Sequence, residues 1–184
     1  LTFVVVSDDA KEKMKNRKTP IASFYANLMA FDGYYEKKWF PYTMPISDIY
    51  GLRAAFNLIA GDKTLYERHA RIGSATRAAV KEAGLKLHLQ SGYSNTVTVF
   101  DIPECTDAKS ILDEMRTKYN IMLAGSFDEL SGKVIRIGHM GENARLEHMV
   151  PALEALSATL TDLGVTLQGN LADLFLKHYR EFQD

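Results

Sequence analysis

The stretch KVIRIGHMG, residues 133–141, alternates like a strand yet holds Arg136 at its centre. Ile135 and Ile137 fall on one face; Val134, Arg136 and Gly138 fall on the other. A guanidinium on an inner strand keeps its proton, so it needs an anion or several carbonyls around it. Two partners would serve. One is an aspartate or glutamate of the same fold; the other is a ligand carboxylate held by two parallel N–H···O bonds. The pattern leaves both open. Gly138 and Gly141 flank His139 and Met140, and let the backbone pass close to a ligand or a packed helix.

A second candidate is FPYTMP, residues 40–45. Two prolines stiffen an extended loop, and Thr43 offers a hydroxyl just before a helix that begins near Ser47. That arrangement suits an anion such as a phosphate, or simply caps a local turn. The remaining chemistry-bearing residues show less. His69, His88, His139, His148 and His178 have no metal-ligand spacing. There is no glycine-rich phosphate loop, no GxSxG and no cysteine pair. No lysine stands in a distinguishing context. Cys105 is the single thiol, so it reads as a structural residue near a strand end.

These residues need elements to position them. Leu1–Val6 is almost wholly apolar and reads as a strand buried on both faces. Domains seldom begin inside such a strand, so the sequence reads as a piece of something longer. Asp8 or Asp9 caps a helix running to about Asn16. Phe24, Tyr25, Phe31, Tyr34, Tyr35 and Trp39 then crowd a segment bounded by Pro20 and Pro45, and suggest a helix packed against something large. Ile49, Leu52, Phe56 and Ile59 mark one face of a helix capped by Ser47 or Asp48 and stopped by Gly61. A further helix runs from about Asp62 to Ala83. The period then changes. LKLHL, NTVTVFDI, IMLAG and KVIRIGH read as strands, the last two joined by the polar loop SFDELSG. TDAKSILDEMRTKY is a helix capped by Thr106. Another spans about Arg145 to Leu163, with Pro151 marking either a kink or its first turn. A last helix carries Leu171, Leu174, Phe175 and Phe182 on one face. Residues 85–163 thus read as a small sheet with helices on one side, an α+β sandwich.

Composition excludes some partners. A net charge of −1 over 184 residues gives no field for nucleic acid or an acidic membrane. The basic run KEKMKNRK has no interleaved aromatics and reads as a solvated helix face. No apolar run has the length of a membrane span, and a lone thiol fits a reducing compartment, the cytosol or an organelle interior.

Taken in order, LTFVVVSDDAKEKM, TPIASFY, FPYTMPISDIYGLRAAFNLI, RHARIGSATRAAVKEAGLKL, SNTVTVFDIP, IMLAG and GKVIRIGHMG resemble the C-terminal half of class V pyridoxal-phosphate aminotransferases of the alanine–glyoxylate and serine–pyruvate type. The likeness runs to about Leu163, and the tail from Thr166 has no place in it. It implies an α/β fold of type I, with residues 1–61 the end of the large cofactor domain and its connecting helix. Residues 62–184 would be the small C-terminal α+β domain with a helical tail. It implies a homodimer that moves an amino group from alanine or serine to glyoxylate or another 2-oxo acid. Arg136 matches the arginine that binds the substrate carboxylate. Thr43 matches the threonine that reaches the cofactor phosphate of the other subunit. Phe40 stands where the family often has a tyrosine, so one phosphate contact is lost or passes to Tyr42. The lysine that bonds the cofactor is expected upstream of Leu1. On that expectation the chain alone neither binds pyridoxal 5'-phosphate nor transaminates, whereas its parent protein does both. A noncatalytic amino-acid-binding module and a partner subunit of α+β type are the alternative readings; the first leaves LTFVVVS and the aromatic block unexplained, and the second, completing a separate cofactor-bearing chain, stays open.

Overall fold

Ser7 opens the first helix, accepting a hydrogen bond from the Ala10 N–H at 3.2 Å. Asp8 and Asp9 lie in its first turn and Lys13 and Lys15 in its last, which complements the helix dipole. The result is α1, Asp8–Lys15. The structure, a computed structural model, describes residues 2–182; its contacts divide the chain into two units, one ending at Asp62 and one starting at Lys63.

In the first unit α1 is tied down by ion pairs from Lys11 and Lys15 to Asp32, at 2.5 and 3.3 Å. The strand expected before α1 is absent: residues 2–6 are exposed and unpaired, and Leu1 lies outside the described residues. A strand is held by a neighbour's ladder, and no other described segment of this unit is a strand. The aromatic block is also not the expected α-helix. Asn27 caps a single 3₁₀ turn, Leu28–Phe31, and Gly33 at φ +69° breaks any continuation. The rings pack on one another instead. Tyr42 sits 5.3–5.5 Å, centroid to centroid, from Phe24, Tyr25 and Phe31. Helix α2, Ile46–Gly61, follows Pro45 and has no side-chain cap, so neither Ser47 nor Asp48 plays that part. Ile49, Phe56 and Ile59 do share its face, and all three are exposed.

The second unit runs α3 (Leu65–Glu82), β1 (Val97–Asp101), α4 (Ala108–Tyr119), β2 (Val134–Gly138), α5 (Leu146–Asp162) and α6 (Leu171–Glu181). Strands β1 and β2 are antiparallel, with Val99 opposite Arg136. The other two expected strands shrink to single bridges, Leu87 to Phe100 and Ala124 to Arg136. For the second the cause is local. Asn120 turns left-handed at φ 55°, and the Ile121 N–H bonds back to the Met115 carbonyl to close α4, leaving only Ala124 to pair.

The helices cover one face of this narrow sheet. Ile72 and Ala79 of α3, Ile111 and Met115 of α4, Leu153, Leu156 and Leu160 of α5, and Leu171 and Phe175 of α6 close over Phe100, Ile135 and Ile137. The cap of α4 is Asp107, which accepts from the Ser110 N–H at 3.0 Å; the expected cap, Thr106, has its hydroxyl buried without a partner. Pro151 lies inside α5, past its first turn. Asn170 caps α6, and the Leu171 N–H reaches the Ser157 hydroxyl at 2.8 Å, fixing α6 to α5. No helix among the described residues is long and apolar enough to cross a membrane.

Candidate functional site

Arg136 sits in the middle of β2, paired with Val99 on one side and bridged to Ala124 on the other. Its neighbours Ile135 and Ile137 enter the core, which forces Arg136 to the opposite, half-buried face. There its Nε donates to the Gly125 carbonyl at 2.5 Å. The guanidinium carbon lies 5.6 Å from the centre of the Phe127 ring, within cation–π range. No carboxylate among the described residues pairs with it, and neither Nη1 nor Nη2 has a partner there. One edge of the guanidinium is anchored while its two Nη groups have no partner among the described residues. That is the geometry that takes a carboxylate in two hydrogen bonds. Of the two partners the sequence left open, the intramolecular acid is not found among the described residues.

The turn after β2 is held by two histidines that pattern reading left without a role. The His139 N–H donates to the Thr96 carbonyl at 2.9 Å. Its ring donates from Nδ1 to the Asn95 carbonyl at 3.1 Å and accepts at Nε2 from the Thr98 hydroxyl at 2.8 Å. His69 of α3 donates from Nδ1 to the Leu65 carbonyl at 2.6 Å and accepts at Nε2 from the Gly141 N–H at 3.0 Å. His139 is wholly buried, and burial pushes its pKa down to about 4; the Asn95 carbonyl opposes that, while Arg77 and His69 add to it. Phe127 and the Gly125 carbonyl were missed too. The only signal was one apolar ring inside an otherwise polar loop, SFDELSG.

Thr43 and Tyr42 belong to the first unit. Thr43 is exposed and its hydroxyl has no partner among the described residues. It lies just ahead of the uncapped N-terminus of α2. A free hydroxyl beside unsatisfied helix N–H groups fits a phosphate oxyanion. The Tyr42 hydroxyl is differently placed: it donates to the Phe24 carbonyl at 2.9 Å, so its proton is already used. Cys105 is an exposed free thiol.

Several of the lysines form surface ion pairs. Lys86 meets Asp101 at 2.6 Å, Lys109 meets Asp113 at 2.7 Å, Lys177 meets Glu82 at 2.7 Å, and Lys118 pairs with Asp162. Those carboxylates hold Lys109, Lys118 and Lys177 above the ordinary lysine range. An amine that must attack a carbonyl at neutral pH needs the opposite shift.

No family model matches the chain. Similar proteins nonetheless agree. It is 34% identical over 188 residues to a serine–glyoxylate aminotransferase of Arabidopsis thaliana, covering 97% of this chain and 46% of that protein. Its structure superposes on a pyridoxamine–pyruvate aminotransferase of Mesorhizobium loti with a TM-score of 0.83 and 31% identity, over 96% of this chain and 46% of the other. A ureidoglycine–glyoxylate aminotransferase of Bacillus subtilis gives 0.83 at 30% identity, over 94% and 46%. The likeness therefore runs past Leu163 into the tail that sequence reading left unplaced. The chain spans less than half the length of these relatives. Its fold is that of the C-terminal portion of a fold type I enzyme, and the chain matches the C-terminal part of class V pyridoxal-phosphate aminotransferases.

Proposed function

We propose that the protein is a pyridoxal-phosphate-dependent aminotransferase that moves an amino group from alanine or serine to glyoxylate or another 2-oxo acid, and that Arg136 holds the carboxylate of both. The observation that carries this is the guanidinium itself, anchored at Nε by Gly125, with neither Nη group partnered among the described residues. Donor and acceptor share only the carboxylate and the carbon next to it. A fixed carboxylate therefore orients that carbon in both halves of the exchange. Phe127, packed beside the guanidinium, limits its sweep. The cofactor, when bound, supplies the electron sink that lets the proton on that carbon move.

Thr43, with the N-terminus of α2, is the part of this chain suited to the cofactor phosphate. Residues 1–61 are then the end of the large domain and 62–184 the small one. The exposed aromatics of the first unit, among them Phe24, Tyr25 and Trp39, support a homodimer that covers them. The free thiol of Cys105 supports a reducing compartment such as the cytosol. Lys109, Lys118 and Lys177, held protonated by carboxylates, are poor candidates for the residue that bonds the cofactor, and the 184-residue chain, which spans less than half the length of its relatives, is expected to be inactive by itself. The test is an assay of the whole protein with the cofactor, offering alanine or serine against glyoxylate. Turnover there and none from the 184-residue chain supports the reading. Turnover by the chain alone, or none by the whole protein with any 2-oxo acid, contradicts it.

A further inference from the structure

We infer that His69 and His139 act as a two-point latch that sets where Arg136 presents its guanidinium. The inference rests on the reading of Arg136 as the carboxylate anchor. Strand β2 is only five residues long and its ladder has one full partner, β1. A slip of one residue would turn Arg136 into the core and Ile137 outward. The last register pair is Val97 with Gly138. Beyond it one backbone bond to the β1 side follows, from the His139 N–H to the Thr96 carbonyl at 2.9 Å, and the two histidine side chains add to it. His139 reaches back to Asn95 and Thr98 on and before β1. Two residues on, Gly141 is held by His69 from α3. The turn is thereby fixed to the β1 side and to α3 at the open end of β2.

The partners dictate the form of each ring. A carbonyl only accepts and a backbone N–H only donates. His69 therefore carries its proton on Nδ1, facing Leu65, and keeps Nε2 bare for Gly141. His139 likewise carries its proton on Nδ1, facing Asn95, with Nε2 accepting from Thr98. Arg77 and His69, both on α3, are the charged or titratable groups that reach His139, and the β1 side offers it only a hydroxyl and a carbonyl. Among the described residues the His139 ring is hydrogen-bonded to no carboxylate. These are positioning residues, since neither side chain is directed at the free edge of Arg136.

The test uses the whole protein with its cofactor. His69→Ala should raise KM for the amino donor about tenfold with little change in kcat, the signature of lost ground-state positioning. His69→Gln, whose side-chain oxygen can still accept from Gly141, should restore KM to within about twofold. Arg136→Ala is run beside them. If Arg136→Ala raises KM and His69→Ala does not, the latch is overturned while the reading of Arg136 stands. If Arg136→Ala leaves KM unchanged, the underlying reading fails and the latch with it. Imidazole ¹⁵N spectra of the unmutated protein near pH 7.5 give an independent check: both histidines should show the Nδ1–H neutral form. An Nε2–H or doubly protonated ring at either position overturns the inference.

Discussion

The two units of this chain are built from similarly apolar sequence and have opposite fates. From Lys63 on, regularly spaced apolar residues close a core: Ile72, Phe100, Ile111, Leu153 and Phe175 have essentially no exposed surface. Up to Asp62, no described residue is buried, although α2 is rich in apolar residues and the loop before it is dense in rings. Val5 is 98% exposed and Tyr25 83%. Periodicity specifies which face of an element is apolar; burial depends on what the face meets. The contrast also separates two kinds of site. Arg136 is held by a finished core and a paired strand. Thr43 stands on a loop and a helix end whose apolar surroundings are open.

The largest expected effect that sharpens this contrast is on stability. Phe100→Ala or Phe175→Ala should cost about 3–5 kcal/mol in urea unfolding, the usual penalty for emptying a packed core. Phe56→Ala, on the exposed face of α2, should change it by no more than about 0.5 kcal/mol. A comparable loss from both would mean that the first unit shares the core.

The next effect is pH dependence between pH 6.5 and 4, and it comes from His139 in the second unit. His139 is held neutral, its pKa pushed from 6.5 to about 4. On acidification the unfolded chain takes up its proton first. The contribution is therefore whole above pH 6.5 and is lost as pH falls towards 4, at about 1.4 kcal/mol per pH unit. Asp101 and Glu82 are held below their ordinary values of 3.8 and 4.5 by their lysine and histidine partners, so their contributions fail only at still lower pH. Urea midpoints at pH 7 and pH 5 check this. A midpoint that does not move would show that His139 is not buried as described.

Helix caps give the smallest effect. Asn170→Ala removes the acceptor for the Ala172 and Asp173 N–H groups of α6, which packs on the core, and should cost about 1 kcal/mol. Ser7→Ala does the same to α1, an exposed helix of eight residues. It should fray that helix, seen as faster amide exchange, without moving the unfolding midpoint. Equal shifts in the midpoint would break the distinction.

Much of this could be read from the residues. The helices from α1 to α6, the alternation of β1 and β2, and the face of Arg136 follow from period; the caps do not, since Ser7 stands in for Asp8 or Asp9, Asp107 for Thr106, and α2 has no side-chain cap at all. The likeness in KVIRIGHMG and FPYTMP gave the family. What escaped reading shares a cause. The LKLHL and IMLAG strands depended on how much partner they found, and one was cut short by the closing turn of α4. The aromatic block kept no helix because Asn27 and Gly33 outweighed its apolar content. Phe127, His69 and His139 acquired roles only through contacts between segments far apart in the chain, such as Gly141 with His69. No local window contains such a pair.

The most direct test of the account is steady-state kinetics of Arg136→Lys and Arg136→Ala in the whole protein with its cofactor. A lysine keeps the charge but loses the fork that grips two carboxylate oxygens. The account expects kcat/KM for the amino donor to fall about 100-fold or more in Arg136→Ala, equivalent to about 2.7 kcal/mol, with Arg136→Lys only partly recovered. Activity within a few-fold of the unmutated protein in both variants would contradict it, and would leave Arg136 a residue that merely braces the Gly125 loop.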